Sequence, residues 1–191
     1  MQKCNHYIIL ISWILLSCNS VTDKSKLNGD TITNTFTLKN DSTALLMITE
    51  THKFSDISKH DMFSLTLSGE SILKGQILFK IVNSDNQIIY KETFPAYDLL
   101  WDQADVITSV KLKEDTIVHR MKMFFAKNNF SEPAIKRISI FDPDSSEKGI
   151  WQDIKQDKTT IGFIYTHGYE GTYAIAYSKR SKKTVLYFSS D

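Results

Sequence analysis

Apolar and polar residues alternate along much of this chain from Thr35 onward, with the period of two expected of strands that bury one face. Phe63, Leu65 and Leu67 fall on one side and Ser64, Thr66 and Ser68 on the other. Leu73, Gly75, Ile77, Phe79 and Ile81 repeat the device against Lys74, Gln76 and Lys80. The run Asn83-Ser84-Asp85-Asn86 then supplies turn formers, after which Ile88, Tyr90 and Phe94 alternate with Lys91 and Thr93. This pattern predicts a β-hairpin, since a tight polar turn between two alternating runs brings their apolar faces to one side. Upstream, residues 44–51 (ALLMITET) predict a further strand, and Pro95, which cannot donate to a ladder, closes the block.

The period changes to that of a helix between residues 115 and 129. Ile117, Val118, Met121, Phe124 and Phe125 recur at i, i+1, i+4, i+7 and i+8, a single stripe that should pack on a sheet. Asp115 or Thr116 is the expected N-cap, Asn128-Asn129 suits a left-handed stop, and Pro133 marks the helix as finished. Strand patterning then resumes at residues 137–141, 160–166, 172–178 and 184–189. The short connections Gly168-Tyr169-Glu170-Gly171 and Lys179-Arg180-Ser181-Lys182-Lys183 make the last three an antiparallel meander. The expected fold is α+β: mainly antiparallel β-sheet with one amphipathic helix, about 115–129, packed on it.

A different pattern stands at the N-terminus. One positive charge, Lys3, precedes a continuous apolar run over residues 7–16 (YIILISWILL). A helix needs about 20 apolar residues to span a bilayer, so the run predicts the apolar region of an export signal rather than a membrane span. It ends in Leu15-Leu16-Ser17-Cys18, which resembles the lipobox of bacterial lipoproteins, with Leu16 in a place where a smaller residue is more usual.

That resemblance covers only about the first 20 residues. It implies cleavage before Cys18 and fatty acylation of its thiol and new amine, a palmitate-type anchor in the cell envelope. A thiolate is nucleophilic enough for such a transfer. One acyl chain holds a protein only marginally, at about 0.8 kcal/mol per buried CH₂, whereas two or three anchor it stably.

The organisation expected is a signal peptide at 1–17, a lipidated Cys18 with a flexible polar tether through 34, and one domain at 35–191. The tether (NSVTDKSKLNGDTITN from Asn19) lacks either period and would reach roughly 20 Å. Asn19 after the cysteine favours the outer membrane by analogy with known lipoproteins. With its Lys/Asn/Ile/Ser-rich domain the chain looks like small lipoproteins of Bacteroidetes-type bacteria.

Composition then limits the chemistry. Cys4 lies in the signal, so Cys18 is left without an intramolecular disulfide partner and the domain must be held by its core. With Lys3 removed, 22 basic residues face 22 acidic ones, which supplies no basic footprint for nucleic acid.

No metal or cofactor is expected. His52, His60, His119 and His167 lack metal-ligand spacing and have no cysteines to complete a zinc site. No G-x-S-x-G run marks a nucleophilic serine. Asp142-Pro143-Asp144-Ser145-Ser146, with Asp153 beyond, begins like a calcium loop, but Glu147 stands where that loop turns on glycine, and a solvated turn is the simpler reading.

One cluster remains. Tyr165, Tyr169, Tyr173, Tyr177 and Tyr187 gather in the last strands. Rigid amphipathic rings suit recognition at low entropic cost, so Tyr165, Tyr169, Glu170 and Tyr173 are the candidate contact surface. The basic turn at 179–183 reads as solvated rather than lipid-binding.

The functional expectation is a non-catalytic lipoprotein, bilayer-anchored at Cys18, that binds an envelope protein or glycan. The alternatives are an envelope hydrolase with an Asp/Glu/His site assembled by the fold, and an inhibitor or immunity-type protective lipoprotein. An enzyme predicts histidines and carboxylates converging in hydrogen-bond reach, and a binder predicts exposed rings around Tyr169.

Overall fold

A computed structural model describes residues 44–136, 148–169 and 171–190, which belong to one unit of the chain. Cys18, the tether, the strand expected at 137–141, most of the Asp142 loop and Glu170 lie outside the described residues.

The described strands form two four-stranded antiparallel sheets, each a simple meander. The first contains β1 (Ala44–His52), β2 (Asp61–Ser68), β3 (Gln76–Val82) and β4 (Ile88–Pro95), in that order across the sheet. Its register follows the alternation: Phe63 lies opposite Ile81, Leu65 opposite Phe79 and Leu67 opposite Ile77, so one face is continuously apolar. All six of these side chains are fully buried.

The predicted hairpin turn forms because Asn83 acts as its own template. Its Oδ1 accepts from the Asp85 and Gln87 amides at 3.1 and 2.8 Å, and Asn86 takes the left-handed backbone (φ 61°) that asparagine tolerates best after glycine. β3 begins three residues later than the alternation suggested, with Leu73 in the preceding turn yet still packed on the core.

The second sheet joins β5 (Phe130–Ser131), β6 (Gly162–Thr166), β7 (Thr172–Ser178) and β8 (Lys183–Ser190). The last three are the expected meander. β5 is too short to show any period, and only its pairing with Phe163 and Gly162 makes it a strand. Phe163, Tyr165 and Ile175 of this sheet share one core cluster with the apolar face of the first sheet. The two sheets are therefore packed face to face through a layer rich in phenylalanine.

The helical stripe is where expected, but the helix is displaced. α1 spans Val110–Met123, starting five residues early because Ser109 caps it, its Oγ accepting from the Leu112 amide at 3.4 Å. Neither Asp115 nor Thr116 serves, since both lie inside the helix. The stop is also different: Asn129 caps with its side chain, donating from Nδ2 to the Phe124 carbonyl at 2.8 Å, rather than through a left-handed backbone.

Just beyond the helix, Phe124 and Phe125 enter the inter-sheet layer. Phe125 meets Phe63 of the first sheet and Phe163 of the second, with ring centroids 5.6 and 5.9 Å away. Such edge-on and tilted aromatic contacts add about 0.5–1.5 kcal/mol per pair beyond area burial.

The expectation of one helix is corrected. α2 (Lys148–Gln156) covers the other face of the second sheet, where Trp151 and Ile154 pack against Ala174, Ala176, Val185 and Tyr187. The two alanines let the helix approach closely. Its signal, Ile150, Trp151 and Ile154 at i, i+1 and i+4, was confined to little more than one turn and is easily lost in a polar stretch.

Candidate functional site

Tyr165, Tyr169 and Tyr173, grouped by sequence, separate in the fold according to strand parity. Tyr165 alternates with Phe163 on the inward face of β6 and is only 3% exposed, so it does not contribute to a surface. Tyr173 lies directly across from it on β7, half-buried, with ring centroids 5.5 Å apart. Tyr169 alone projects, 82% exposed at the tip of the β6–β7 turn. Tyr187 points the other way, into the α2 side of the sheet, where its hydroxyl donates to the Ala134 carbonyl at 3.2 Å and burial pushes its phenol up to about 12.

The turn that carries Tyr169 is built by its glycines and by the opposite sheet. Gly168 holds a left-handed φ of 72°, a conformation that costs glycine nothing. A Cβ at Gly171 would stand 2.7 Å from the His167 carbonyl oxygen and 2.9 Å from the Tyr173 hydroxyl, so only glycine fits there. The His167 amide donates to the Gly171 carbonyl at 3.2 Å, and the Gly168 amide donates across to the carbonyl of Asp98 at 3.0 Å. Asp98 lies in the 3₁₀ turn Ala96–Leu100 that follows β4. Tyr97, 40% exposed, is next to it, so both exposed tyrosines lie one residue from the same backbone hydrogen bond.

Beneath this rim the structure assembles a polar network that sequence reasoning missed. Glu92 occupies an inward position of β4, paired with the buried Phe79. Its Oε2 accepts from the hydroxyls of Tyr165 at 2.6 Å and Tyr90 at 3.1 Å, and the two phenols meet each other at 2.7 Å. Its Oε1 is 3.1 Å from His167 Nε2. An ionised carboxylate only accepts, so Nε2 carries the proton and donates. The His167 ring is stacked on Phe94, parallel at 4.2 Å, and on Tyr173 at 4.7 Å. Its Nδ1 faces Asp98 Oδ2 at 4.0 Å.

The electrostatics follow from this wiring. Burial pushes the Glu92 carboxyl up, but hydrogen bonds from His167, Tyr165 and Tyr90 and the charge on His167 outweigh it, and the carboxyl is held below the ordinary range. The Tyr165 phenol is driven far above its ordinary value by burial, then by the adjacent Tyr90 and Glu92. Tyr90 is raised as well, chiefly by burial and then by Glu92. Burial also raises the Asp98 carboxyl.

The arrangement is therefore an anion fixed by an imidazole and by two neutral phenols, whose two protons are shared among three short contacts, to Glu92 and to each other. Such a set ties β4 of the first sheet to the end of β6 in the second. The clue in the sequence was parity: Glu92 falls in the same alternation register as Tyr90 and Phe94.

Elsewhere the candidates disperse. His60 and His119 are exposed, while His52 pairs with Glu50 at 3.1 Å. Asp153, the far member of the calcium-like run, lies on α2, where it accepts from Ser178 Oγ at 2.8 Å. The basic turn is partly paired, Lys179 with Asp157 at 2.9 Å and Arg180 near Asp153 at 3.9 Å. Among the described residues no group of three or more His, Cys, Asp or Glu side chains is placed to hold a metal ion. No helix among them is long and apolar enough to cross a membrane. No family model, curated protein or solved structure matches this chain.

Proposed function

We propose that this chain is a lipid-anchored, non-catalytic binding module of the bacterial cell envelope, attached through Cys18 and meeting an envelope protein or glycan with the β6–β7 turn. The observation that carries the reading is Tyr169: a large ring, 82% exposed, on a turn held by two backbone hydrogen bonds. An exposed tyrosine ring, with only two side-chain torsions, loses little entropy on binding, the economy by which contact residues deliver affinity. With Tyr165 interior, the contact surface is narrower than the sequence suggested and includes the rim at Tyr97.

The test is a photo-crosslinking side chain at position 169 in intact envelope-bearing cells. One dominant adduct that disappears in a Tyr97→Ala variant supports the reading; a diffuse set of adducts indifferent to that change overturns it. The anchor is tested separately: Cys18→Ala should release the domain from the membrane fraction or stall its processing. A second reading, an envelope hydrolase, is favoured by the His167–Glu92 pair at 3.1 Å. It predicts that His167→Gln abolishes turnover of envelope glycans or peptides, whereas a binding module turns over neither.

A further inference from the structure

We infer that Glu92 and His167 are positioning residues for the Tyr169 turn, so that the contact edge and the docking of the two sheets rise and fall together. This rests on reading Tyr169 as a contact residue. Tyr169 is carried by the second sheet, yet much of what orients its turn comes from the first. The His167 ring lies against Phe94 of β4 at 4.2 Å, its Nε2 donates to Glu92 of β4 at 3.1 Å, and the neighbouring Gly168 amide donates to Asp98 just after β4 at 3.0 Å. From its own sheet it receives the Tyr173 ring at 4.7 Å, the Tyr165 ring at 5.9 Å and the turn-closing bond to Gly171 at 3.2 Å.

Packing alone does not account for a histidine here. A phenylalanine would stack equally well on Phe94 and Tyr173, but only a ring with an N–H reaches Glu92. Glu92 in turn is braced by Tyr165 and Tyr90, which gives that hydrogen bond a fixed acceptor. The charged and titratable groups facing the imidazole are Glu92 from β4 and Asp98 from the 3₁₀ turn, with Tyr173 from β7 and Tyr165 from β6 stacked on it. His167 is 8% exposed, so these bonds form away from competing water. The consequence is reciprocal: whatever binds the Tyr169 turn stabilises the sheet-to-sheet network, and whatever breaks the network scatters the turn.

Amide hydrogen exchange on the full-length protein tests the inference without knowledge of the partner. His167→Phe should accelerate exchange of the His167 and Gly168 amides about tenfold, while amides of β2 and β3 change less than about twofold. His167→Gln, which retains an N–H able to reach Glu92, should restore most of the protection. Glu92→Gln, which keeps the size of the side chain, should reproduce a smaller acceleration at the same amides should His167→Phe fail to fold. Equal acceleration in turn and core means simple destabilisation and overturns the inference, as does an unchanged turn.

Crosslinking from position 169 separates the two claims. A turn loosened by His167→Phe with adducts unchanged leaves the positioning role standing and defeats the contact reading. Adducts lost on Tyr97→Ala but untouched, with an unmoved turn, by His167→Phe do the reverse.

Discussion

The first sheet carries a glutamate–histidine pair near each of its outer strands, and the two pairs behave oppositely. On β1, Glu50 sits opposite the fully buried Phe63 and bonds His52 at 3.1 Å, with the imidazole stacked 3.9 Å from Phe130. On β4, Glu92 sits opposite the fully buried Phe79 and bonds His167 at 3.1 Å, with the imidazole stacked 4.2 Å from Phe94. Yet burial raises the Glu50 carboxyl, and burial followed by the nearby His60 lowers His52 to about 4, so this pair resists charge. Glu92 is held below its ordinary range. The difference is what stabilises the carboxylate: at Glu92 the His167 hydrogen bond acts first, followed by those of the two phenols. Tyr90 and Tyr165 add further hydrogen bonds of the kind an interior anion needs, whereas among the described residues no phenol donates to Glu50. The same two residues at the same distance shift the carboxyl in opposite directions according to what donates to it.

The largest effect that would sharpen this contrast is removal of the anion. Glu92→Ala strands two phenols and an imidazole in a mostly buried site and should cost about 2–4 kcal/mol in urea denaturation. Glu50→Gln, replacing a carboxyl that burial already disfavours as an anion, should cost about 1 kcal/mol or less. Comparable losses would erase the distinction. Next, Tyr165→Phe removes one donor and keeps the packing, and should cost about 1–2 kcal/mol, with a smaller loss when Glu92 is already Gln.

The pH dependence should divide the pairs as well. His52 is lowered from 6.5 to about 4 in the folded state, so unfolding takes up its proton first, and that contribution falls away as pH drops from about 6.5 to 4. A His52→Gln variant should flatten the denaturation midpoint across that window. The Glu92 contribution has the depressed-carboxylate sign: present above about 4.5, lost as pH falls below it through the lowered folded value. Tyr90 and Tyr165, raised in the fold, add stability that is fully present below about pH 10 and lost above it. A midpoint that stays level from pH 6.5 to 4 in the parent protein would break the account of His52. The smallest effect belongs to the surface: Lys179→Met removes a pair that is half exposed on the lysine side and should change stability by less than about 1 kcal/mol.

Much of the β framework was legible because alternation is a local signal. Phe63, Leu65 and Leu67 declare a buried face whatever strand lies beside them, and Asn83 dictates a turn through its own side chain. The helical stripe was equally readable at Ile117, Met121, Phe124 and Phe125, but its boundary was not, since Ser109 caps a first turn whose Val110 and Leu112 face solvent. Pairing defines β5, and its partner lies some thirty residues on.

The site was legible in part. Tyrosines near a glycine-bounded turn marked the region, and Tyr169 is exposed there. That Tyr165 faces inward follows from its parity with Phe163 and could have been deduced. Its bond to Glu92, 73 residues earlier, could not.

The sequence by itself determined the alternating strands, the stripe, the hairpin turn and the expectation of an acylated Cys18, because each is written in residues within reach of one another along the chain. Tertiary structure alone decided that the strands divide into two facing meanders, that the Glu92 carboxyl is held below its ordinary range while burial raises that of Glu50, and that His167 spans from one sheet to the other. Those outcomes depend on which donors a carboxylate meets after the sheets dock, and docking brings together residues that local spacing leaves unrelated.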